Sequence, residues 1–445
     1  MLEALNTLLW GPGTLALILG TGAWLTLRTG GFPQRNLGRA LTLSLGREAR
    51  RKGRGGVSPF GSLMTALAST VGTGNIVGVA AALVSGGPGA LVWMELAAFL
   101  GLAAKFAECM LAVKYRHVRR DGTRWGGPMA VMETRLGSAG AVLGRFYALF
   151  ALLMAFAMGA MAQSGALADT FFAAFTLPRW RVGLVTAVLA LAILLGGIRR
   201  IAEISTVLVP VMALLYLGGG LAVILGNLRR LPEALILMLR CAVAPEAALG
   251  GALGIVTRRE ALRWGVARSV FSNEAGLGSA SITAACADTE DPVKQGLISM
   301  TGVFFDTMVI CTVTGLAICC SGTLGAADGN GLPLTGAALT LRAFETVLGP
   351  LAPWLIGAAL GLFAFTSVLG CAVQAETTAS YLLGPEAVRP CRVLYGLAVF
   401  VGAVIPMATV LQLADLANAL MAFSNLVCLL LLSGEIAGEC GRKER

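Results

Sequence analysis

The sequence predicts an all-α integral membrane protein of about eleven transmembrane helices, built as a five-plus-five inverted repeat with discontinuous helices and one extra N-terminal helix. Of its 445 residues 56% are apolar and 13% charged, with a mean hydropathy of +0.79, a balance that soluble chains of this length do not keep. Uncharged runs such as Ala4 to Leu27 and Val57 to Met94 exceed the roughly 20 residues that cross a bilayer. Two glycine-broken stretches, Ser69-Thr70-Val71-Gly72-Thr73-Gly74-Asn75 and Ser272-Asn273-Glu274-Ala275-Gly276-Leu277-Gly278-Ser279, interrupt apolar segments.

In chain order, helices are expected at 8–27, 58–85, 89–113, 146–168, 182–198, 203–226, 264–287, 295–320, 354–383, 393–410 and 412–436. The first run lacks the basic leader and small-residue cleavage site of a signal peptide, so it reads as a retained, additional helix. Helices 182–198 and 393–410 are short, and 354–383 is long enough to tilt or break. The domain reading is 8–27 for the added helix, 58–226 for the first repeat, 227–263 for an external loop or lid, 264–436 for the second repeat and 437–445 for a cytoplasmic tail.

Loop charges orient the chain. Of the 34 Lys and Arg, 23 fall in loops and a tail on one side and 10 on the other, Lys105 being within a span. The basic side is expected to be cytoplasmic, with the N-terminus outside and the C-terminus inside a cell inner (plasma) membrane. Seven of the ten exceptions cluster between Arg229 and Arg268, where two apolar turns, Ala234 to Leu239 and Ala247 to Ile255, suggest the external hairpin or lid. The net charge of +10 then reflects topology and contact with anionic membrane lipid. No basic stretch carries an aromatic platform, so nucleic acid is not an expected partner. The ten cysteines lie mostly in apolar runs without a CxxC, which supports neither a disulfide framework nor a metal site.

The two breaks share the pattern small or branched residue, Gly, x, Gly, small polar residue, and each opens a half that continues with four more helices. Five helices per half is an odd number, so the second half enters the membrane from the opposite side and both breaks fall near the midplane. A lone glycine in a span usually serves close helix packing. Two GxG pairs beside Asn75, Asn273 and the intramembrane Glu274 exceed that need. A helix that gives up its own hydrogen bonds in mid-span offers bare amides and carbonyls to a ligand or an ion, the signature of a transporter.

On these residues the chain resembles the alanine or glycine:cation symporters, also called sodium:alanine symporters. The segments that carry the resemblance are Thr65 to Val79, Gly86-Gly87-Pro88-Gly89-Ala90, Lys105 to Glu108, Ala112 to Arg116, Gly127-Pro128-Met129, Arg263 to Arg268, Ser272 to Ala280, Phe363-Ala364-Phe365-Thr366 and Asp415 to Met421. The likeness spans about residues 8 to 436. It implies the leucine-transporter-type inverted-repeat fold and sodium-coupled symport of a small neutral amino acid by alternating access.

The resemblance also implies site residues. The amides around Thr73 and Gly74 would hold the substrate carboxylate at the positive end of a half-helix. Carbonyls of the second break near Phe271, Ser272 and Gly276, with side-chain oxygens of Asn273 or Gln163, would meet the ammonium. Gln163 reads alternatively as interhelical glue. The coupling ion, Na+, would take the carbonyls of Ala68, Val71 and Phe363 and the hydroxyls of Thr366 and Ser367, although such hydroxyls often bond back to their own helix. Asn75 is either a further ligand or a brace for the break.

Other intramembrane charges are functional candidates by default. Lys105 and Glu108 are expected to pair near the cytoplasmic end of their helix. Asp306 is the deepest lone acid, able to carry a proton or steady the ion site. Glu274 is expected to hold the second break through backbone N–H groups. The single histidine, His117, sits in a basic loop, which leaves no histidine relay.

The chain departs from the family where Gly370-Cys371-Ala372-Val373-Gln374-Ala375-Glu376 replaces a segment rich in Trp and Tyr, and where Ser424-Asn425 replaces Pro-Asn. Cys371 is expected to leave room for a side chain larger than methyl, so serine or glutamine stands as the alternative substrate and a proton as the alternative coupling ion. A membrane-embedded enzyme is not expected, since no GxSxG or HExxH is present. Two opposed mid-span breaks suit an occluded site rather than a channel. A non-transporting amino-acid receptor would need an output domain that the chain lacks.

Overall fold

A backbone in hydrocarbon has only itself to hydrogen-bond, so each uncharged run becomes a helix. The computed structural model describes residues 9–51, 57–119, 122–243, 246–248, 255–327 and 331–444. In order, these form α1 (Pro12–Arg28), α2 (Leu37–Leu45), α3 (Pro59–Thr70), α4 (Val77–Gly86), α5 (Gly89–Lys114), α6 (Pro128–Met154), α7 (Gln163–Phe175), α8 (Arg179–Leu194), α9 (Gly197–Gly226), α10 (Leu231–Val243), α11 (Arg258–Asn273), α12 (Ser279–Ala285), α13 (Pro292–Val303), α14 (Thr312–Ser321), α15 (Gly336–Leu348), α16 (Ala352–Leu383), α17 (Val388–Val404), α18 (Met407–Leu431) and α19 (Ser433–Glu444). Wide π-helical turns, Ala155–Ala162 and Phe304–Cys311, join α6 to α7 and α13 to α14. Two antiparallel hairpins complete the fold: β1 (His117–Val118) with β2 (Arg124–Trp125), and β3 (Glu246–Ala248) with β4 (Ile255–Thr257).

Among the described residues seven helical spans are long and apolar enough to cross a membrane, and eight with the pair α3 and α4, bent by 62°. The rest of the expected eleven correspond to α1 and α8, of 17 and 16 residues, and to the interrupted pair α11 and α12. After each broken helix come two long spans, a short one and a further long one. The short ones, α8 and α17, pack along each other so tightly that a β-carbon on Gly396 would stand 2.4 Å from Leu191 Cγ.

Several boundaries differ from the expectation. The helix placed at 146–168 starts earlier and runs on to Phe175; Gly137, at φ +61 and ψ −138, is not helical and separates it from a short helix that begins at Pro128. The helix placed at 393–410 ends at Val404, since Pro406 caps α18 and fixes a new start. The long helix at 354–383 is unbroken. Between Arg229 and Arg268 lie the amphipathic α10, the hairpin β3–β4 and the first turns of α11. The expected turn Ala247–Ile255 lies largely outside the described residues, as do Leu8, Lys52, Arg54 and Arg445.

Many large apolar side chains point outward, among them Leu184, Val185, Val188 and Leu189 on α8 and Val207, Val211 and Leu214 on α9, each close to or above half exposed. In water such a band would be untenable; in a bilayer it is the solvated surface. The loops assigned to the basic side converge on one face. There Lys294 Nζ lies 2.8 Å from Glu48 Oε2, Lys443 Nζ 2.6 Å from Asp291 Oδ2, and Arg124 pairs with Asp288 and Glu290. The Lys294 hydrogen bond holds the Glu48 carboxyl below the usual carboxylate range. Burial would raise Asp291, but Lys443 and the Lys294 backbone N–H outweigh it and hold this carboxyl low as well.

Candidate functional site

The first break forms where α3 runs out of helical backbone. Ser58 caps its start, its hydroxyl accepting from Gly61 N–H at 3.0 Å. At the other end Val71 turns extended, Gly72 follows, and one tight turn at Thr73–Asn75 leads into α4. Gly72 lets the break approach α16 closely: a β-carbon there would stand 2.7 Å from Ser367 Oγ, so that side chain would have to move. Asn75 staples the break from inside: its Oδ1 accepts from Gly72 N–H at 3.1 Å, and its Nδ2 donates to Asp306 Oδ1 at 2.7 Å. Among the described contacts, the Thr73 and Gly74 amides have no partner outside their own turn.

The second break spans Glu274 to Gly278. Glu274 sits in the left-handed region at φ +52, as do Gly276 at +88 and Gly278 at +80. Its polar groups are satisfied from outside. Glu108 Oε2 accepts from Gly276 N–H at 3.2 Å, Gly278 N–H at 3.1 Å and Asn425 Nδ2 at 3.1 Å. Lys105 Nζ donates to the Glu274 carbonyl at 3.1 Å. Asn425 Nδ2 also reaches the Gly276 carbonyl, and the Tyr147 hydroxyl reaches that of Leu277.

Asp306, fully buried in the π-helical turn, joins the two breaks. Its Oδ1 takes Asn75, while its Oδ2 accepts from Ser272 Oγ at 2.6 Å and Thr307 Oγ1 at 2.9 Å. Thr307 Oγ1 in turn accepts from Asn273 Nδ2 at 3.0 Å.

Between the breaks is an enclosed cavity of about 20 Å³, lined by Ser69, Thr70, Gly72, Gly74, Met154, Met158, Gln163, Phe271, Glu274, Cys371 and Asn418. That volume admits about one water, so the site is closed. Thr73 Oγ1 donates to Gln163 Oε1 at 3.2 Å across it. Phe271 roofs the Gly74 side with the Arg268 guanidinium 5.3 Å over its ring. Beside the cavity α16 crosses α3 at backbone distance: a β-carbon on Gly370 would fall 2.4 Å from Ser69 N. The Ser367 hydroxyl, fully buried there, has no hydrogen-bond partner among the described residues. The Thr366 hydroxyl folds back onto the Leu362 and Phe363 carbonyls at 2.9 and 3.1 Å.

The sequence profile of the sodium:alanine symporter family matches residues 1–441. The chain belongs to the sodium:alanine symporter family. It is an amino-acid transporter and a multi-pass membrane protein. A sodium/alanine symporter, AgcS, of Methanococcus maripaludis is 41% identical over 99% of this chain and 96% of its own. A transporter of Haemophilus influenzae is 43% identical over 97% and 92%. A probable sodium/glutamine symporter, GlnT, of Bacillus subtilis is 37% identical over 96% and 87%.

Within this symporter fold the residues named from sequence divide into three groups. Gly74, Gln163, Phe271 and Cys371 line the cavity, and Thr73 reaches Gln163 at its edge. Asn75, Ser272 and Asn273 lie outside the lining, their side chains engaged with Asp306, Thr307 and the break backbones; Gly276 is covered by Glu108. Ala68, Val71, Phe363, Thr366 and Ser367 are all buried around the crossing of α3 and α16.

Three expectations need correcting. Lys105 and Glu108 do pair, at 3.5 Å, but against the second break rather than near a helix end. The break's N–H groups go to Glu108 and Asn273, not to Glu274, whose Oε2 instead accepts from Ser279 Oγ while the residue lines the cavity. Cys371 leaves no open void, because the π-helical turn moves in until a β-carbon on Gly159 would stand 2.2 Å from Cys371 Cβ. Of the remaining lining residues, Met154 and Met158 were not named from sequence, while Ser69, Thr70 and Asn418 were named only within longer segments and given no role. Ser69 and Thr70 lay in the first glycine-broken stretch and Asn418 in a recognised segment; the two methionines read as ordinary apolar residues.

Proposed function

We propose that the chain is a secondary active transporter that carries a small neutral amino acid of the alanine or glycine class together with Na+, by alternating access. One observation carries this reading: Gly74, whose amide like that of Thr73 has no partner among the described contacts, lines a small cavity whose flank at Gly72 holds the buried Ser367 hydroxyl, also without a partner among the described residues. A zwitterion admitted there once the cavity widens would put its carboxylate on the first break and its ammonium toward Gln163 Oε1 and Glu274. Sodium, a hard cation that takes oxygen ligands, finds the Ser367 hydroxyl against Gly72, with the Ala68, Val71 and Phe363 carbonyls and Thr366 around it. The ion and the substrate then both bind where α3 must stay docked on α16, so each raises the affinity for the other through the shared closed state.

In this reading residues 58–226 and 264–436 are the inverted repeats, 8–27 the added helix, 227–263 an external lid and 437–445 a cytoplasmic tail, with the N-terminus outside a cell inner membrane. The glutamine-named relative and the pliable Met154 and Met158 walls support serine or glutamine as the second substrate candidate. Asp306 supports a second reading of the coupling. Its buried carboxylate has only neutral hydrogen-bond donors around it, so a second cation or a proton there would supply its counter-charge.

The test is uptake of labelled alanine, glycine, serine and glutamine by proteoliposomes under an inward sodium gradient, with a proton gradient as control. Sodium-driven accumulation of one of them supports the symporter reading. Accumulation driven by protons alone moves the coupling to Asp306, and binding without uptake defeats transport.

A further inference from the structure

The two breaks share a Gly-x-Gly sequence and are opposite in occupancy. In the first, the Thr73 and Gly74 amides await a partner. In the second, a carboxylate and an ammonium are already in place: Glu108 Oε2 on the Gly276 and Gly278 N–H groups, Lys105 Nζ on the Glu274 carbonyl, and the two charged groups 3.5 Å apart. Both side chains come from consecutive turns of α5 and are at most 2% exposed.

We infer that Lys105 and Glu108 are a tethered zwitterion that occupies the second break as an amino acid occupies the first, and so fix both the number and the polarity of the bound substrate. This rests on the amino-acid transport reading. An amino acid carries one ammonium and one carboxylate a few ångströms apart, and a broken helix offers N–H groups on one side of the gap and carbonyls on the other. With two such gaps open, a zwitterion could lie in either and point either way. The Lys105 and Glu108 charges remove one gap from competition. Neither charge alone would serve, since each buried ion needs the other. Asn425 Nδ2, shared between Glu108 Oε2 and the Gly276 carbonyl, keeps the carboxylate in register with the break and acts as a positioning residue.

The experiment is chemical rescue in the full-length chain. Glu108→Ala leaves the two amides facing a carboxylate-sized hole, and sodium-driven alanine uptake is expected to fall at least about tenfold. Formate at millimolar concentrations, the range in which a small anion held by a few hydrogen bonds binds, should restore most of the loss. Propionate is too large to do so, and formate should leave the unmodified protein unchanged. Wild-type uptake by Glu108→Ala, or a defect that formate does not relieve, overturns the inference.

Should Glu108→Ala be recovered folded only when formate is present during purification, the inference stands. Should it aggregate with and without formate, Glu108→Gln decides. That variant keeps the shape and an oxygen on the break amides but sets an NH2 group against the Lys105 ammonium, so it should be impaired, and wild-type uptake by it overturns the inference. If the unmodified protein itself shows no uptake, the transport reading fails. Thermal stabilisation by formate of Glu108→Ala, and not of the unmodified protein, then still tests the tethered pair.

Discussion

The side-chain amide of Asn75 donates to the Asp306 carboxylate at 2.7 Å and to the Asp306 carbonyl at 3.1 Å, tying the first broken helix to a π-helical turn more than two hundred positions away. Because the same carboxylate takes Ser272 Oγ, one residue holds both breaks. Wide helical turns of this kind are rare and recur at functional sites. Asp306→Asn removes the charge and sets an NH2 group against Asn75 Nδ2 or Ser272 Oγ. A charge-assisted hydrogen bond contributes about 1.5–3 kcal/mol, so the purified variant should unfold at lower temperature and uptake should fall at least about tenfold. Unchanged melting and uptake would show that the link between the breaks is dispensable.

Ser367 and Thr366 are neighbours with different hydroxyl environments, which separates their expected effects. Ser367→Ala deletes an oxygen that has no partner among the described residues and so should cost little stability. It should raise the sodium concentration for half-maximal uptake by about tenfold, as loss of one good ligand interaction does. Thr366→Ala should act less on sodium, since its hydroxyl already serves its own helix. Unaltered sodium dependence in the double variant would remove this ion site.

Gly370→Ala tests the crossing of α3 and α16. The added methyl would lie 2.4 Å from a backbone nitrogen, which cannot rotate away. Overpacking of this kind costs about 1–3 kcal/mol, and here it also pushes α3 off the Ser367 side. Lower thermal stability together with weakened sodium dependence is expected; a stability loss alone would show that the crossing is structural.

Met158→Ala enlarges the closed cavity on its most pliable wall. The preference should move from alanine toward glutamine, by about tenfold in relative uptake, which is the scale of a few methylenes in an apolar pocket. Competition assays with both amino acids measure it. An unchanged ratio would place the substrate side chain elsewhere than against Met158.

On the basic face, Glu48 and Asp291 both have lowered pKa values. Groups depressed by folding contribute stability above their unfolded pKa and lose it as pH falls through the lower folded value. The ties to Lys294 and Lys443 should therefore hold from neutral pH down to about pH 4 and fail below it, within the carboxylate range. Glu48→Gln should leave melting unchanged or slightly lower near pH 7, because exposed ion pairs contribute little. A sharp loss between pH 7 and 5 would have to come from other groups.

Composition and charge-free length alone determined that this chain lives in a membrane and is helical there, because hydrocarbon leaves the backbone no other partner. The glycine pairs at 72 and 74 and at 276 and 278 marked both breaks, since only a broken helix in mid-span needs them so close to polar residues. Sequence also gathered Gly74, Gln163, Phe271 and Cys371 through family resemblance, and the tertiary structure sets all four on one cavity.

Tertiary structure alone decided which polar groups are free and which are spoken for. Asn75, Ser272 and Asn273 have the chemistry of binding residues, yet Asp306 and Thr307 engage them from thirty to two hundred positions away. Lys105 and Glu108 looked like an ordinary pair one helical turn apart, because nothing local shows that Gly276 and Gly278 sit opposite. Met154 and Met158 carried no signal, as an apolar residue facing a cavity is spelled the same as one facing lipid. Periodicity and composition report what a segment buries; which partner it buries it against is set by long-range packing, and in this protein that packing separates the break left open from the break already filled.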